Sequence, residues 1–211
     1  MTDVKICGLR DADTMRLCSR LGVKWVGFVF YPPSPRFITA LEAARINEVV
    51  PSAASGGPER VGLFVKPNLE LIAKTLQIVP LDALQVYCSE EEGQHISQNF
   101  DVPVWIAKGI RSQKDLPVKA NANRYVIEAP HDKEDTRPGG LGKIFDWTLT
   151  SDWTAPTPWL LAGGLTPSNV LQAIDMSNAS AVDVSSGVEE DRGVKSHSLI
   201  EKFVEKAYQR G

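Results

Sequence analysis

The hydrophobic positions of this chain fall into a repeating pattern of two kinds of segment. Short and mostly apolar runs, rich in β-branched residues, alternate with longer stretches in which apolar residues recur at helical spacing. An almost continuous apolar run, such as residues 25–30, is typical of a strand buried on both faces of a parallel sheet. The pattern predicts strands at residues 4–7, 25–30, 61–65, 83–87, 102–107, 125–128, 159–162 and 181–184.

This alternation predicts the fold class. Strands that alternate with helices build a parallel sheet, and eight such units predict a closed (β/α)8 TIM barrel. The chain of 211 residues is at the short end for this fold, which typically has roughly 250 residues. Little room remains for a second domain, so residues 1–211 are predicted to form a single barrel domain. A doubly wound open sheet is the alternative, but the first turn lacks the G-x-G-x-x-G dinucleotide fingerprint.

Capping residues predict where the helices begin. Thr166 is followed by Pro167, which suits a first helical position, and this helix is predicted to run to about Met176. Pro117 predicts that the stretch after the fifth strand is short or irregular. The predicted N-caps are Asp11, Thr39, Asn68, Ser89 and Thr166, and the last helix is predicted to start near Ser196.

Composition and charge narrow the class of protein. Hydrophobic residues make up 43% and charged residues 23%, and the net charge of -3 argues against a dedicated nucleic-acid or membrane surface. Cys7, Cys18 and Cys88 have no paired spacing, and neither a signal-peptide pattern nor an apolar run long enough to cross a bilayer is present. These features predict a cytoplasmic protein without disulfides. No surface for self-association is obvious, so a monomer is the default expectation.

Candidate site residues follow from position, because the active site of a (β/α)8 barrel lies at the C-terminal ends of its strands. Polar or reactive residues occur there at Cys7, Arg36, Gln85, Glu128 and Asp183. No spacing of His, Cys and carboxylate residues indicates a metal site. His131 follows the sixth strand and is better explained as a polar loop residue, although it lies within reach of the predicted site.

Two glycine- or serine-rich turns predict a phosphate site. Gly163-Gly164 follows the seventh strand and Ser185-Ser186-Gly187 follows the eighth. Backbone N–H groups at these two places often bind phosphate in this fold, and glycine lets the backbone approach the anion closely. Ordinary turns would also contain glycine, but two such turns at both expected places favour a sugar phosphate as the ligand.

Three side chains at the same end of the predicted barrel suit chemistry on such a ligand. Cys7 is either a packed hydrophobic residue, the commoner case, or a reactive thiol. Glu128 ends an apolar strand, where partial desolvation raises the pKa of a carboxyl group and suits it to act as a general acid. Because strands one and six lie nearly opposite in such a barrel, Cys7 and Glu128 would flank a ligand. Arg36 offers a planar fork for a carboxylate or phosphate.

With these residues in place, the chain resembles the phosphoribosylanthranilate isomerase family of tryptophan biosynthesis over essentially its whole length. The resemblance implies a (β/α)8 barrel without cofactor. It implies the Amadori rearrangement of N-(5-phosphoribosyl)anthranilate into 1-(2-carboxyphenylamino)-1-deoxyribulose 5-phosphate. The matching segments are VKICGL at 4–9, GFVF at 27–30 with SPR at 34–36, VGLFV at 61–65, FDW at 145–147, LAGGL at 161–165 and AVDVSSGVE at 181–189.

The resemblance also implies roles for individual residues. The cysteine that aligns with Cys7 is the family's general base, and the arginine that aligns with Arg36 contacts the anthranilate carboxylate. The partner is therefore expected to be a small molecule with phosphate and carboxylate groups. The predicted substrate-binding residues are Arg36, Gln85, Gly164, Asp183, Ser185 and Ser186, with the phosphate at Gly164, Ser185 and Ser186.

The chain departs from the family pattern where the general acid is expected. The family usually has an aspartate at the end of the sixth strand, and this chain has Glu128, whose extra methylene displaces the carboxyl group by roughly 1.5 Å. The backbone is expected to compensate, and Asp132, Glu134 and Asp135 in the next loop are the alternative acids. The fourth strand has Tyr87 where the family has histidine. Two other functions stay open: another sugar-phosphate barrel enzyme, or a non-catalytic phosphate-binding relic.

Overall fold

The computed structural model, which describes residues 2–131, 139 and 142–209, contains a closed barrel of eight parallel strands. Each strand pairs with the next in the chain, and β1 pairs with β8 to close the cylinder. The predicted (β/α)8 fold is confirmed, with strand ends within two residues of those predicted. The strands are β1 (Asp3–Cys7), β2 (Trp25–Val29), β3 (Glu59–Val65), β4 (Ala83–Tyr87), β5 (Val104–Gly109), β6 (Arg124–Glu128), β7 (Trp159–Leu161) and β8 (Ala181–Val184).

Six α-helices surround the barrel within the described residues. The predicted N-caps Asp11, Thr39, Asn68 and Ser89 are confirmed, because each side chain accepts a hydrogen bond from a backbone N–H three residues further on. Short 3-10 helices, Gln113–Asp115 and Trp147–Thr150, follow β5 and β6 instead of α-helices. The α-helices are α1 (Ala12–Arg20), α2 (Ala40–Asn47), α3 (Leu69–Ile78), α4 (Glu90–Asn99), α5 (Val170–Ser177) and α6 (His197–Tyr208).

The predicted helix start at Thr166 is wrong. Helix α5 begins at Val170 with Asn169 as its N-cap, and Thr166 opens a turn instead. The Thr166 N–H donates to Oδ1 of Asn169 at 2.7 Å, while Nδ2 of Asn169 donates to the Gly164 carbonyl at 3.0 Å. An asparagine amide that bonds nearby backbone groups competes with helical hydrogen bonds, so it holds this segment in a turn.

Apolar side chains form separate cores outside and inside the barrel. The outer core fills the space between strands and helices and includes the fully buried Phe28 and Phe64. In the inner core, Trp25 packs edge-on against Trp105 with ring centroids 5.5 Å apart. Because side chains fill the interior, a ligand of this barrel is expected at the rim and not inside it.

A short antiparallel hairpin follows β8 and was not predicted. It consists of β9 (Glu189–Asp191) and β10 (Val194–Lys195). The hairpin directs Glu189 and Lys195 back toward the C-terminal rim, where both contact residues of the cleft described below. Among the described residues, no helix combines the length and the apolar character that a membrane span requires.

Candidate active site

A cleft lies at the C-terminal rim of the barrel, where the sequence placed the candidate residues. Most of those residues contribute to its lining, and they come from β1, β6, β8 and the loops after β2, β7 and β8. Side chains that are distant in the sequence therefore meet around one cavity. The predicted residues that line the cleft are Cys7, Arg36, Glu128, Gly164, Asp183, Ser185 and Ser186, and His131 lines it as well.

Cys7 ends β1 with its thiol at the floor of the cleft, and the residue is only 4% exposed. Its register partner on β2 is Gly27, where a Cβ atom would lie 2.8 Å from the Cys7 Sγ. A side chain at position 27 would thus displace the thiol. Burial raises the pKa of the Cys7 thiol, and Asp183 raises it further, whereas the cations Lys5 and Lys195 oppose this rise.

Lys5 and Asp183 form a buried ion pair beside this thiol. The residues are register partners on β1 and β8, and Nζ lies 2.9 Å from Oδ1. Burial acts to lower the pKa of Lys5, but Asp183 and Cys7 outweigh it, so that the pKa is raised above its ordinary value. Lys5 is therefore a fixed cation next to Cys7, and Asp183 is the carboxylate with which it pairs.

Glu128 ends β6 and lines the same cleft, with 8% of its surface exposed. The Tyr87 hydroxyl donates a hydrogen bond to its Oε2 at 3.3 Å. Burial raises the pKa of the Glu128 carboxyl to about 8, with Asp183 adding to the rise and Tyr87 and Lys5 opposing it. A carboxyl group of this kind holds a proton near neutral pH and can donate it.

Arg36 lies at the cleft as part of a cluster of charges. It forms a bidentate ion pair with Glu189, in which Nε lies 2.6 Å from Oε1 and Nη2 lies 2.9 Å from Oε2. The Lys195 Nζ lies 2.9 Å from the same Oε1. Burial acts to raise the pKa of Glu189, but Arg36 and Lys195 outweigh this effect and lower the pKa to about 2. Two cations share one carboxylate, so this group leaves a net positive charge beside the cleft.

The two predicted phosphate turns are in contact with each other. A Cβ atom at Gly187 would overlap the Leu165 carbonyl oxygen, and one at Gly164, whose φ is +64°, would overlap the Ile144 side chain. The Ser185 hydroxyl donates to the Cys7 carbonyl at 3.0 Å, which ties the second turn to β1. The turns therefore meet at one edge of the cleft, and glycine is required where they are closest.

Gln85 is the predicted site residue that does not line the cleft. It lies on β4 inside the barrel, in register with Leu63 and Trp105, and is 1% exposed. Neither Oε1 nor Nε2 of its amide has a hydrogen-bond partner among the described residues. The alternative acids Asp132, Glu134 and Asp135 lie outside the described residues.

Sequence reasoning assigned no role to Tyr87, Glu189 or Lys195. Tyr87 could have been found by strand parity, because it lies two residues after Gln85 and so projects to the same face of β4. Glu189 could have been suspected because a nearly buried arginine requires a counter-ion. The position of Lys195 depends on the hairpin, for which the sequence carries little signal. Within the described ranges, no group of three or more His, Cys, Asp or Glu residues could hold a metal ion.

Fold and site together define a (β/α)8-barrel enzyme that has groups for proton transfer and for anion binding in one cleft. Residues 4–206 match the family model described as "N-(5'phosphoribosyl)anthranilate (PRA) isomerase". The chain belongs to the phosphoribosylanthranilate isomerase family.

Relatives and solved structures agree with this assignment over the full length of the chain. The chain is 44% identical to the N-(5'-phosphoribosyl)anthranilate isomerase of Acidiphilium cryptum, with 99% of each chain covered. It is 43% identical to that of Rhodospirillum rubrum, covering 100% of this chain and 99% of the relative. The crystal structure of phosphoribosyl anthranilate isomerase from Thermotoga maritima has a TM-score of 0.85 at 33% identity, covering 99% of this chain and 100% of that one.

A further crystal structure bears on the ligand of these enzymes. It shows a phosphoribosyl anthranilate isomerase in complex with reduced 1-(o-carboxyphenylamino)-1-deoxyribulose 5-phosphate, at 32% identity and a TM-score of 0.82, covering 99% of this chain and 100% of that one. The predicted activity is confirmed: the protein is an enzyme of tryptophan biosynthesis that isomerises N-(5'-phosphoribosyl)anthranilate.

Proposed function

We propose that Cys7 and Glu128 divide the proton transfers of the isomerisation between them. The Glu128 carboxyl protonates the furanose ring oxygen, and the C1–O bond breaks to leave an open-chain Schiff base. The Cys7 thiolate then removes the proton from C2, and the resulting enolamine tautomerises to the aminoketose. The observation that carries this proposal is the buried Glu128 carboxyl, whose pKa of about 8 lets it hold a proton in the same cleft as Cys7.

The charges around the two residues support this division. Burial raises the pKa of the Cys7 thiol, but Lys5 and Lys195 oppose this rise, and cations beside a thiol stabilise the thiolate that a base requires. Glu128 has the Tyr87 hydroxyl as its hydrogen-bond donor and Asp183 as an unfavourable charge nearby. Two groups of one cleft whose environments differ in this way are suited to opposite roles.

The substrate's two anionic ends fit different sides of the cleft. We assign the phosphate to Gly164, Ser185 and Ser186, because the turns after β7 and β8 meet there. The carboxylate is assigned to Arg36, whose cluster keeps a net positive charge beside Glu189 and Lys195. The substrate contact of Gln85 stays a prediction, because its side chain lies inside the barrel.

Asp183 acts on the substrate mainly through Lys5 in this proposal. Its Oδ1 accepts a hydrogen bond from the Lys5 ammonium at 2.9 Å, and it also lines the cleft. A carboxylate in this position fixes the direction of the ammonium beside the thiol. A direct contact between Asp183 and the substrate remains the prediction made from its strand end.

Turnover of two single variants tests the catalytic assignment. Freshly generated phosphoribosylanthranilate is mixed with enzyme, and the loss of substrate fluorescence is followed. Cys7→Ser and Glu128→Ala are each expected to lower kcat by roughly 10²- to 10⁴-fold, the usual contribution of an acid–base group. Cys18→Ser is the matched control, because Cys18 is buried on α1 and does not line the cleft.

The outcomes separate the alternatives. Wild-type turnover by Glu128→Ala would transfer the acid role to Asp132, Glu134 or Asp135. Wild-type turnover by Cys7→Ser would remove the thiol from the mechanism. Thermal unfolding of each variant shows whether a loss of rate reflects a loss of fold.

We further propose that the protein is a cytoplasmic monomer. Cys7, Cys18 and Cys88 are all unpaired thiols, as is usual in a reducing compartment. The exposed large hydrophobic residues among the described positions are distributed over α2, α3, β10 and two loops, at Leu41, Leu71, Ile78, Val118, Ile144 and Val194. The relative from Thermotoga maritima is described as dimeric. Light scattering of the purified protein is the direct test of the monomer. A mass near 46 kDa, about twice the 23.1 kDa of one chain, would contradict it.

A further inference from the structure

The Tyr87 hydroxyl is a second functional group at the Glu128 carboxyl. The two residues end strands β4 and β6, and both line the cleft. The hydroxyl lies 3.3 Å from Oε2, and it is the hydrogen-bond donor that the carboxyl has among the described residues. The pair therefore spans β5, the strand that lies between them in the barrel.

Small residues on β5 allow this contact across a whole strand. Val86 is in register with Ile106, and Glu128 is in register with Gly109. The inward-facing position next to Tyr87 is thus Ala107, whose methyl group leaves space above it. A larger side chain at 107 would reduce this space, whereas a Cβ atom at Gly109 would meet Pro130 at 2.7 Å.

The contact is also closed from the side of the cleft. Gly139 has a φ of +69°, and a Cβ atom there would overlap the Tyr87 hydroxyl and lie 3.4 Å from the Glu128 Oε2. The backbone at 139 therefore packs directly over the hydrogen bond. A donor that is covered on one side and supported by β5 on the other has little freedom to turn away from the carboxyl.

We propose that Tyr87 is a positioning residue, whose hydroxyl holds the Glu128 carboxyl in the orientation from which it protonates the substrate. The proposal rests on the proposed role of Glu128 as the general acid. Glutamate has one more rotatable bond than aspartate, so a carboxyl at this position requires an additional restraint to be held in one place. Tyr87 supplies that restraint from a neighbouring part of the rim.

Several other groups face the Glu128 carboxyl and must be considered with Tyr87. Lys5 on β1 lowers the pKa of the carboxyl, and Asp183 on β8 raises it. His131 and Lys143 line the same cleft. The Tyr87 hydrogen bond lowers the pKa of Glu128, because it stabilises the carboxylate more than the acid. Removal of the hydroxyl is therefore expected to raise this pKa further above 8.

The first test replaces the hydroxyl alone. In Tyr87→Phe, the pKa of the Glu128 carboxyl is measured by infrared or ¹³C-NMR titration, with Glu128→Gln identifying its signal. The pKa is expected to rise by roughly one unit, as for the loss of one hydrogen bond to a charged group. The kcat is expected to fall about tenfold, with KM less affected, because a misplaced acid slows the chemical step.

Tyr125→Phe is the matched control. Tyr125 is a buried tyrosine at the other end of β6, and its hydroxyl donates to the Lys119 carbonyl at 3.0 Å. Its loss is expected to reduce stability without changing kcat or the pKa of Glu128. Equal effects of the two variants would show a purely structural role for Tyr87 and would overturn the proposal.

A double variant makes the test specific to the geometry. In the Glu128→Asp background, the carboxyl is one methylene shorter and out of reach of the hydroxyl. Tyr87→Phe is therefore expected to leave kcat within twofold of the Glu128→Asp value, and an undiminished tenfold loss would count against positioning.

If Glu128→Gln is inactive but Tyr87→Phe changes neither pKa nor kcat, Glu128 remains the acid and only the role of Tyr87 fails. If Glu128→Gln keeps wild-type turnover, the acid assignment and the inference built on it fail together.

Discussion

Two glutamates at the rim of this barrel both have carboxyl groups that are largely withdrawn from solvent, and yet they differ strongly in acidity. Glu128 is 8% exposed, and its pKa is raised to about 8. The Glu189 side chain is 5% exposed, and its pKa is lowered to about 2. Burial acts to raise the pKa of both carboxyls, so burial alone cannot explain why one pKa is raised and the other lowered.

The hydrogen-bonding and charged partners of the two carboxyls explain the difference in pKa. Glu189 accepts hydrogen bonds from the cations Arg36 and Lys195 and from the Gly193 N–H. Among the residues that the structure describes, Glu128 has one neutral donor, Tyr87, and a carboxylate nearby in Asp183. An anion surrounded by cations stays ionised, whereas one with a neutral donor holds a proton. The same side chain thus serves as a fixed charge at one edge of the cleft and as a proton donor at another.

Glu189→Gln is expected to have the largest effect on stability. It leaves Arg36 and Lys195 buried without their shared carboxylate, and removal of one partner from a buried ion pair costs about 3–5 kcal/mol. Urea unfolding at pH 7 measures the loss, and Glu190→Gln, one residue on and exposed, is the control. A loss no larger than that of the control would mean that Glu189 is not a necessary anion.

Glu128→Gln, in contrast to Glu189→Gln, is expected to increase the stability of the protein at high pH. A carboxyl whose pKa rises from 4.5 to about 8 on folding binds more protons in the folded state, so wild-type stability falls as pH increases between these values. By linkage, the full penalty approaches roughly 4–5 kcal/mol above pH 8.

The amide variant lacks this penalty, but it still buries a polar group at a cost of about 1–3 kcal/mol. A net gain of about 2 kcal/mol is therefore expected at pH 9, with no gain at pH 5. Urea midpoints at the two pH values give the answer. Parallel pH dependence in wild type and variant would place the pKa of Glu128 near its ordinary value.

Lys74→Ala is expected to have the smallest effect. Lys74 and Glu70 form an ion pair at 2.6 Å on α3, but their side chains are 68% and 71% exposed. Such an exposed i,i+4 pair contributes about 0.3–0.5 kcal/mol. A loss above 1 kcal/mol in the same urea experiment would show that short distance, rather than burial and partners, governs the strength of ion pairs in this protein.

The fold was predictable because its signals are local. A short apolar run bounded by polar residues marks a strand, and residues such as Thr39 and Ser89 mark a helix start with their own side chains. The prediction failed at Thr166, where the Asn169 amide holds a turn that the Thr-Pro pair alone does not reveal. The β9–β10 hairpin was missed because strands of three and two residues carry no periodicity.

Only part of the site could be predicted in the same way. Cys7, Glu128 and Asp183 were found because they end strands, and strand ends converge in any such barrel. The pairing of Arg36 with Glu189 joins residues 153 positions apart. This ion pair depends on how the loop after β2 packs against the β9–β10 hairpin, and no local sequence pattern encodes that packing. The same holds for Tyr87 and Glu128, which meet across an intervening strand that has the small Ala107 beside Tyr87.

The pairing of β1 with β8, which closes the barrel, determines at which stage of its synthesis the chain can become active. Lys5 bonds Asp183 and Ser185 bonds the Cys7 carbonyl where these strands meet, each over 178 positions of sequence. A nascent chain that has left the ribosome as far as β7 already contains Cys7, Arg36 and Glu128. It still lacks the counter-ion of Lys5 and the serines of the second turn. Catalytic competence is therefore expected to arise only when the last strand docks on the first.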